Sequence, residues 1–200
     1  MIHTTSGVAA ARRGLHDEGV RMYRNQQTGW AAQRQAALAR MLAGGGKPDF
    51  ARPDQIVGMT GLQILHAMMA GELPYPPMND TTNMTLVEAD SGWAVFLGIP
   101  ELRHCNPFGT VHGGWFSTLL DSALGCAIQS ALPEGRSYTT VELSVNIVRA
   151  AAPSTGALRA AATLIHSGMQ IATAQARVED ENGKLYAHAT TTCVVFDRRA

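Results

Sequence analysis

The sequence predicts an α+β domain in which an antiparallel sheet wraps around one long central helix, with a helical extension ahead of it. Three observations carry that expectation. Phe116, Leu119, Leu120, Ala123, Leu124, Ala127, Ile128 and Ala131 recur at i, i+3, i+4 and i+7, the spacing of a helix with one apolar stripe. Downstream, apolar and polar residues alternate in successive segments, the period of a half-buried strand. The inward positions of those segments are mostly alanine, and small side chains on a sheet let a helix approach closely.

Taken in order, the chain opens with a stretch rich in Ala, Arg and Gln that shows no strand pattern. Trp30, Ala37, Leu38 and Met41 fall at helical spacing, and Gly44-Gly45-Gly46 with Lys47-Pro48 ends that helix. We therefore divide the chain into an extension, residues 1–55, and a main domain, residues 56–200. The extension shows only a thin apolar face, so a chain starting near Pro48 is expected to fold. A short helix is expected over Thr60–Ala70, with Leu62, Leu65, His66 and Met69 on one face. Leu73-Pro74-Tyr75-Pro76-Pro77 can be neither helix nor central strand and reads as an extended connector.

Met84–Ala89 and Trp93–Ile99 read as strands around an Asp90-Ser91-Gly92 turn, and Glu101–Val111 as loop. Pro133 and Gly135 end the long helix. Val141, Leu143, Val145 and Ile147 then alternate with Thr140, Glu142, Ser144 and Asn146. Leu158, Ala160, Ala162 and Leu164 repeat the pattern up to a Ser167-Gly168 turn. Ala172, Ala174, Ala176 and Val178 repeat it again up to Glu181-Asn182-Gly183, and Leu185–Phe196 forms the last strand. Short links between these four strands predict an antiparallel meander.

Composition narrows the function. The chain is 46% hydrophobic and 16% charged, with 16 Lys plus Arg against 16 Asp plus Glu. A net charge of zero gives no pull toward nucleic acid or an anionic membrane, and a modest charge count suits an oligomer. Cys105, Cys126 and Cys193 are far apart, so neither a disulfide framework nor a zinc ribbon is expected, and the reading places the chain in a reducing cytoplasm. Met1–Arg13 lacks the pattern of a secretory leader, and no apolar run reaches the ~18 residues of a membrane span.

The chemistry concentrates where Asn106-Pro-Phe-Gly-Thr-Val-His-Gly-Gly114 runs into the long helix. Paired glycines favour close approach to the backbone, and the first N–H groups of a helix suit an oxygen that becomes negative during attack. Gly114, Thr118, Asp121 and Gly125 form one stripe beside the apolar face. Asp121 is too deep in the helix to be its cap. It is either a solvated or ion-paired helix residue or a carboxylate at the edge of the buried seam. His112 is either a general base or the ring that fixes the turn by hydrogen bonding. His104, Cys105 and His112 lack a fourth ligand at metal spacing, so no metal is expected. His166 and His188 read as structural, and Cys126 as a small core residue.

Asn106-Pro-x-Gly109-x-x-His112-Gly113-Gly114, with Asp121 nine residues after the histidine, resembles the signature of the PaaI-type hotdog-fold thioesterases. The Pro74–Pro77 lead-in, Arg149-Ala-Ala-Ala-Pro153 and the Asp180–Gly183 turn are similar too, so the resemblance spans residues 60–198. It implies a hotdog fold and hydrolysis of acyl-CoA thioesters bearing an aromatic or short-to-medium acyl group. Coenzyme A is then part of the substrate, and no separate cofactor is needed. The resemblance further implies that Gly113 or Gly114 N–H binds the thioester carbonyl, that Asp121 attacks it or activates a water, and that Asn106 orients thioester or water. Some relatives carry a hydroxyl one turn after the carboxylate. Gly125 stands there, which leaves Thr118 or Ser122 to substitute. Ser167 and Gly168 are expected near the nucleotide, with Met169 where a basic residue is common; Arg149 reads equally as a phosphate contact and as a surface arginine. In that family the carboxylate and the glycine turn of one pocket come from different subunits, which implies a homodimer or homotetramer. Two other functions compete. A hotdog acyl-CoA hydratase or dehydratase would pair a histidine with an acid. A non-enzymatic acyl-CoA sensor would use Arg12, Arg13, Arg21, Arg24, Arg34 and Arg40, although these show no helix-turn-helix spacing.

Overall fold

The computed structural model describes residues 29–198. The arginines of the extension ahead of Gly29 lie outside the described residues. Among the described residues four helices precede the sheet: α1 (Trp30–Ala43), α2 (Pro53–Ile56), α3 (Gly61–Ala70) and α4 (Met78–Thr82). Then come β1 (Met84–Asp90), β2 (Trp93–Gly98), the long helix α5 (Gly113–Ser130), β3 (Arg136–Ile147), β4 (Leu158–Ser167), β5 (Ile171–Glu179) and β6 (Leu185–Asp197). Thr60 caps α3, its hydroxyl accepting from the Gln63 N–H. The proline connector is extended as expected, but it delivers the chain into α4, which has no apolar period to announce it.

All six strands form one antiparallel sheet in the order β1-β2-β4-β5-β6-β3, and α5 lies across it. The helix stripe read from the sequence is the stripe that is buried, with Leu120, Ala123, Leu124, Ala127 and Ile128 at 0% exposure. Ala94, Ala160, Ala162, Ala172, Ala174 and Ala187 are equally sealed on the facing sheet. The approach is close at the helix start, where a Cβ on Gly98 would lie 2.8 Å from the Trp115 ring. This is the sheet-around-a-helix architecture that the alternating alanines predict.

Two expectations are corrected. The last four strands are not a continuous meander, because β3 pairs with β6 while β4 pairs with β2 and β5. Residues 148–157 form a long crossing with a 3-10 turn at Pro153–Thr155, not a tight hairpin. Their backbone is tied to other elements, with Val148 N–H bonding Tyr186 O and Val111 N–H bonding Ala151 O. The second correction concerns the alternation in β3. Thr140 pairs with Cys193 and Glu142 with Thr192, which leaves Val141 as an unpaired bulge, 56% exposed. A bulge inserts one residue and reverses which side chains face in. Leu143 and Val145 point inward as read, but ahead of the bulge it is Tyr138 and Thr140 that face the helix.

The other sheet face is covered by α1. Ala37 packs with Val87, Val95 and Leu97, flanked by Trp30, Trp93 and Ala161. The glycines after α1 do more than stop it. A Cβ on Gly44 would lie 1.9 Å from Ala70 O, and one on Gly71, at φ +83, would lie 2.0 Å from Met41 O. The ends of α1 and α3 therefore touch backbone to backbone, which only glycine permits. Arg34 of α1 is buried; burial pulls its pKa down, while Glu101 and Asp80 act to raise it.

The described part of the extension is thus packed on the domain. Burying one Val or Leu side chain is worth about 1.5–3 kcal/mol, and removing α1 uncovers Val87, Val95 and Leu97 together. A chain starting at Pro48 is expected to aggregate or to melt at least ~5 °C lower. A melting curve matching that of the full chain would show α1 to be dispensable.

Candidate active site

The segment before α5 is folded by its own polar side chains. Asn106 Oδ1 accepts from Phe108 N at 2.9 Å and Thr110 N at 3.3 Å, while Nδ2 donates to Thr110 Oγ1 at 2.7 Å. Gly109 adopts the left-handed conformation this loop needs, at φ +80. Within one copy of the chain the Asn106 amide therefore holds its own turn.

His112 is the cap of α5. Its backbone is extended and its Nδ1 accepts from Gly114 N at 2.8 Å. An accepting Nδ1 places the ring proton on Nε2. This geometry matches the turn-fixing reading of His112 and occupies one of the two glycine amides. The other, Gly113 N–H, donates to no protein group among the described residues, and it sits at the positive end of the helix. Thr118 Oγ1 turns back onto Gly114 O at 2.9 Å, and Ser117 Oγ onto Gly113 O at 3.0 Å. His112, Gly114, Thr118, Arg103 and His104 border an open depression of about 350 Å³ at this end of the helix.

Asp121 lies two turns further on and faces a different space. Together with Ser122 and Cys126 of α5 it lines a cavity of about 220 Å³. Tyr138 of β3 and Met84, Leu86 and Phe96 of β1 and β2 complete the sheet side. Met41 of α1, Met68 and Met69 of α3, and Tyr75, Pro76, Met78 and Asn79 close the remainder. Asp121 is the one carboxylate in this lining. Among the described residues no Lys or Arg pairs with it, so the ion-paired reading of this aspartate does not hold. Its partner is the Thr140 hydroxyl, which donates to Oδ1 at 3.1 Å.

Two acidic protons nearby are held firmly. Burial, with a smaller contribution from the Asp121 charge, pushes the Cys126 thiol up to about 12. It stays a thiol at neutral pH and is no nucleophile. Burial also raises the Tyr138 phenol well above its ordinary value, so it remains a neutral hydroxyl. That hydroxyl lies over Gly125, where a Cβ would meet it at 2.3 Å.

The structure brings Asp121 and Ser122 into one cavity and sets Gly114, His112 and Thr118 around the other. Arg149, Ser167 and Gly168 line neither. Arg149 Nε donates to Leu185 O at 3.3 Å and its guanidinium sits 6.0 Å from the Tyr186 ring centre. Gly168 N–H closes the β4–β5 turn on Ile171 O at 2.8 Å beside an exposed Ser167. The sequence reading passed over Tyr138 and Thr140, which stand ahead of a bulge that alternation does not reveal. It also missed the cavity methionines, although six of the nine methionines fall between Met41 and Met84, a concentration that could have signalled them.

Residues 108–187 match the model of the thioesterase superfamily, a span holding His112, Gly113, Gly114, Asp121, Tyr138 and Thr140 but not α1. A Halobacterium salinarum protein assigned as an esterase is 38% identical over 72 residues, 35% of this chain and 46% of that protein. The chain thus matches less than half of that relative's length. A phenylacetic acid degradation-related protein of Ralstonia eutropha superposes with a TM-score of 0.60 at 28% identity, over 64% of this chain and 97% of that one. A thioesterase-type protein of Streptococcus pneumoniae, solved with coenzyme A, superposes with a TM-score of 0.53 at 23% identity, over 59% and 92%. With the wrapped sheet, the central helix and the match over residues 108–187 in agreement, the chain is similar to the hotdog-type thioesterases.

Proposed function

We propose that the protein hydrolyses acyl-CoA thioesters to a free acid and coenzyme A, with Asp121 as the reacting carboxylate. The observation that carries this reading is a carboxylate without a cationic partner among the described residues, facing a cavity otherwise lined mainly by Met, Leu, Phe and Tyr. Such a cavity accepts an acyl group and brings its thioester carbon to the acid. A closed cavity of about 150 Å³ holds benzene, so about 220 Å³ suits one aromatic ring with a short linker, or a short-to-medium chain. Methionine is unbranched and adapts to irregular shapes, so the five methionines of this wall favour tolerance among acyl groups of that size.

In this reading the thioester oxygen takes a hydrogen bond from Gly113 N–H, and the Asp121 carboxylate supplies the electron pair, directly or through a water. The carbonyl becomes tetrahedral and the C–S bond breaks; in the water route the proton taken by Asp121 leaves with the thiolate, and in the direct route a water opens the acyl-Asp121 anhydride and supplies the acid's second oxygen and the thiol's proton. Eight residues of helix separate Gly113 from Asp121, roughly 12 Å, so the two cannot meet at one carbonyl within a single copy. A shared site, the glycine turn from one copy and the carboxylate from another, removes that conflict. Strand β3 supports such an assembly. It is a sheet edge whose Val141 and Ile147, with the following Val148, are 56%, 45% and 55% exposed. Long edges of that kind invite pairing with another chain.

Coenzyme A as the thiol is supported by the Streptococcus pneumoniae protein, which was solved with it. Arg149 and the Ser167-Gly168 turn are the groups we assign to its nucleotide. A hydratase reading is less well supported, because the Nδ1 of His112 is taken by the Gly114 amide. Thiol release from a panel of acyl-CoA esters tests the proposal. We expect phenylacetyl- and hexanoyl-CoA to be cleaved faster than palmitoyl-CoA, by a species that scatters light as a dimer or larger. Absence of thiol from every ester would refute hydrolysis, and a stable, active monomer would refute the shared site.

A further inference from the structure

Resting on that hydrolysis, we infer that the Tyr138 hydroxyl holds the attacking water beside Asp121, which makes the water route the operative one. The geometry comes from the pairing of β3 with α5. Thr140 meets Asp121 through its hydroxyl, and Tyr138, two residues earlier on the strand, meets Gly125, four residues later on the helix. Two strand residues advance roughly 6.6 Å and four helix residues roughly 6 Å, so the two contacts stay in step. Asp121 and Tyr138 line the same cavity, and the Tyr138 hydroxyl makes no hydrogen bond to protein among the described residues. A water bridging two oxygens spans roughly 5.6 Å, close to the roughly 6 Å of helix between the Asp121 and Gly125 contacts.

Gly125 is what makes room. A Cβ there would fall 2.3 Å from the Tyr138 oxygen, so any side chain at this position would displace the hydroxyl. The absent helix hydroxyl and the present strand hydroxyl are therefore one arrangement. In the reaction, the water donates one hydrogen to Asp121 and the other to the Tyr138 oxygen, which points its lone pair at the thioester carbon. As the new C–O bond forms, the first proton passes to Asp121. The C–S bond then breaks, and that proton leaves with the thiol. The phenol itself neither gains nor loses a proton, in keeping with the burial that keeps it neutral.

The test uses the full chain, its best acyl-CoA ester and two variants. Tyr138→Phe keeps the ring and removes one oxygen; Gly125→Ala keeps the phenol and pushes its oxygen away. Each should lower kcat on the order of 10–10²-fold, the range for a hydrogen bond to a charged or charging group, with KM within about threefold and the melting temperature of Tyr138→Phe near wild type. A single turnover in ¹⁸O-labelled water should place the label in the product acid and none in the Asp121 peptide. Wild-type kcat in Tyr138→Phe, or label in the Asp121 peptide, would overturn the role of Tyr138 while leaving hydrolysis intact. A wild-type protein that releases no thiol would remove the hydrolysis and this inference together.

Discussion

The seat of α5 in an alanine-lined sheet is the constraint on which the rest of the molecule depends. With Ala94, Ala160, Ala162, Ala172, Ala174 and Ala187 sealed beneath it, the helix lies close enough for strand side chains to reach its flank. Interiors this tight respond to a single added methylene, at a cost of about 1–3 kcal/mol. Bulkier sheet residues would lift the helix and separate Thr140 from Asp121 and Tyr138 from Gly125. The sheet's small residues are therefore as much a part of the site as the carboxylate.

The bulge at Val141 performs the second positioning. Without it, one face of β3 would present either Tyr138 and Thr140 or Leu143 and Val145 to the interior, but not both pairs. The extra residue gives a polar end beside Asp121 and an apolar end further along. It also throws Val141 outward onto the open sheet edge, where the proposed partner chain would meet it. One inserted residue thus links the site's chemistry to its assembly.

Much of this was legible in the sequence. The α5 stripe, the alanine faces of β4 and β5, the short helix over Thr60–Ala70 and the turn at Gly92 follow from local periodicity and turn chemistry. Strand partners do not, because alternation shows that a segment is a strand and is silent on what lies beside it; hence the misplacement of β3. The bulge is invisible for a related reason, since the apolar series from Val141 to Ile147 reads as unbroken. Asp121 was found through its spacing from His112, whereas Tyr138 and Met41 reach the cavity only through tertiary packing. Met41 in particular comes from α1, outside the span that matches the family. The wall of the cavity therefore differs in origin from its acid.

The central claim is that the Asp121 carboxylate reacts and does not merely decorate a helix. An amide can neither attack nor take a proton, yet Asp121→Asn preserves the shape and a hydrogen-bond acceptor for Thr140. The deciding measurement is the steady-state hydrolysis of the best acyl-CoA ester by this variant beside the wild type. We predict native-like folding, a KM close to wild type and a kcat at least ~10²-fold lower, the low end for positioned acid–base catalysis. A folded Asn variant that turns over at close to the wild-type rate would contradict the account.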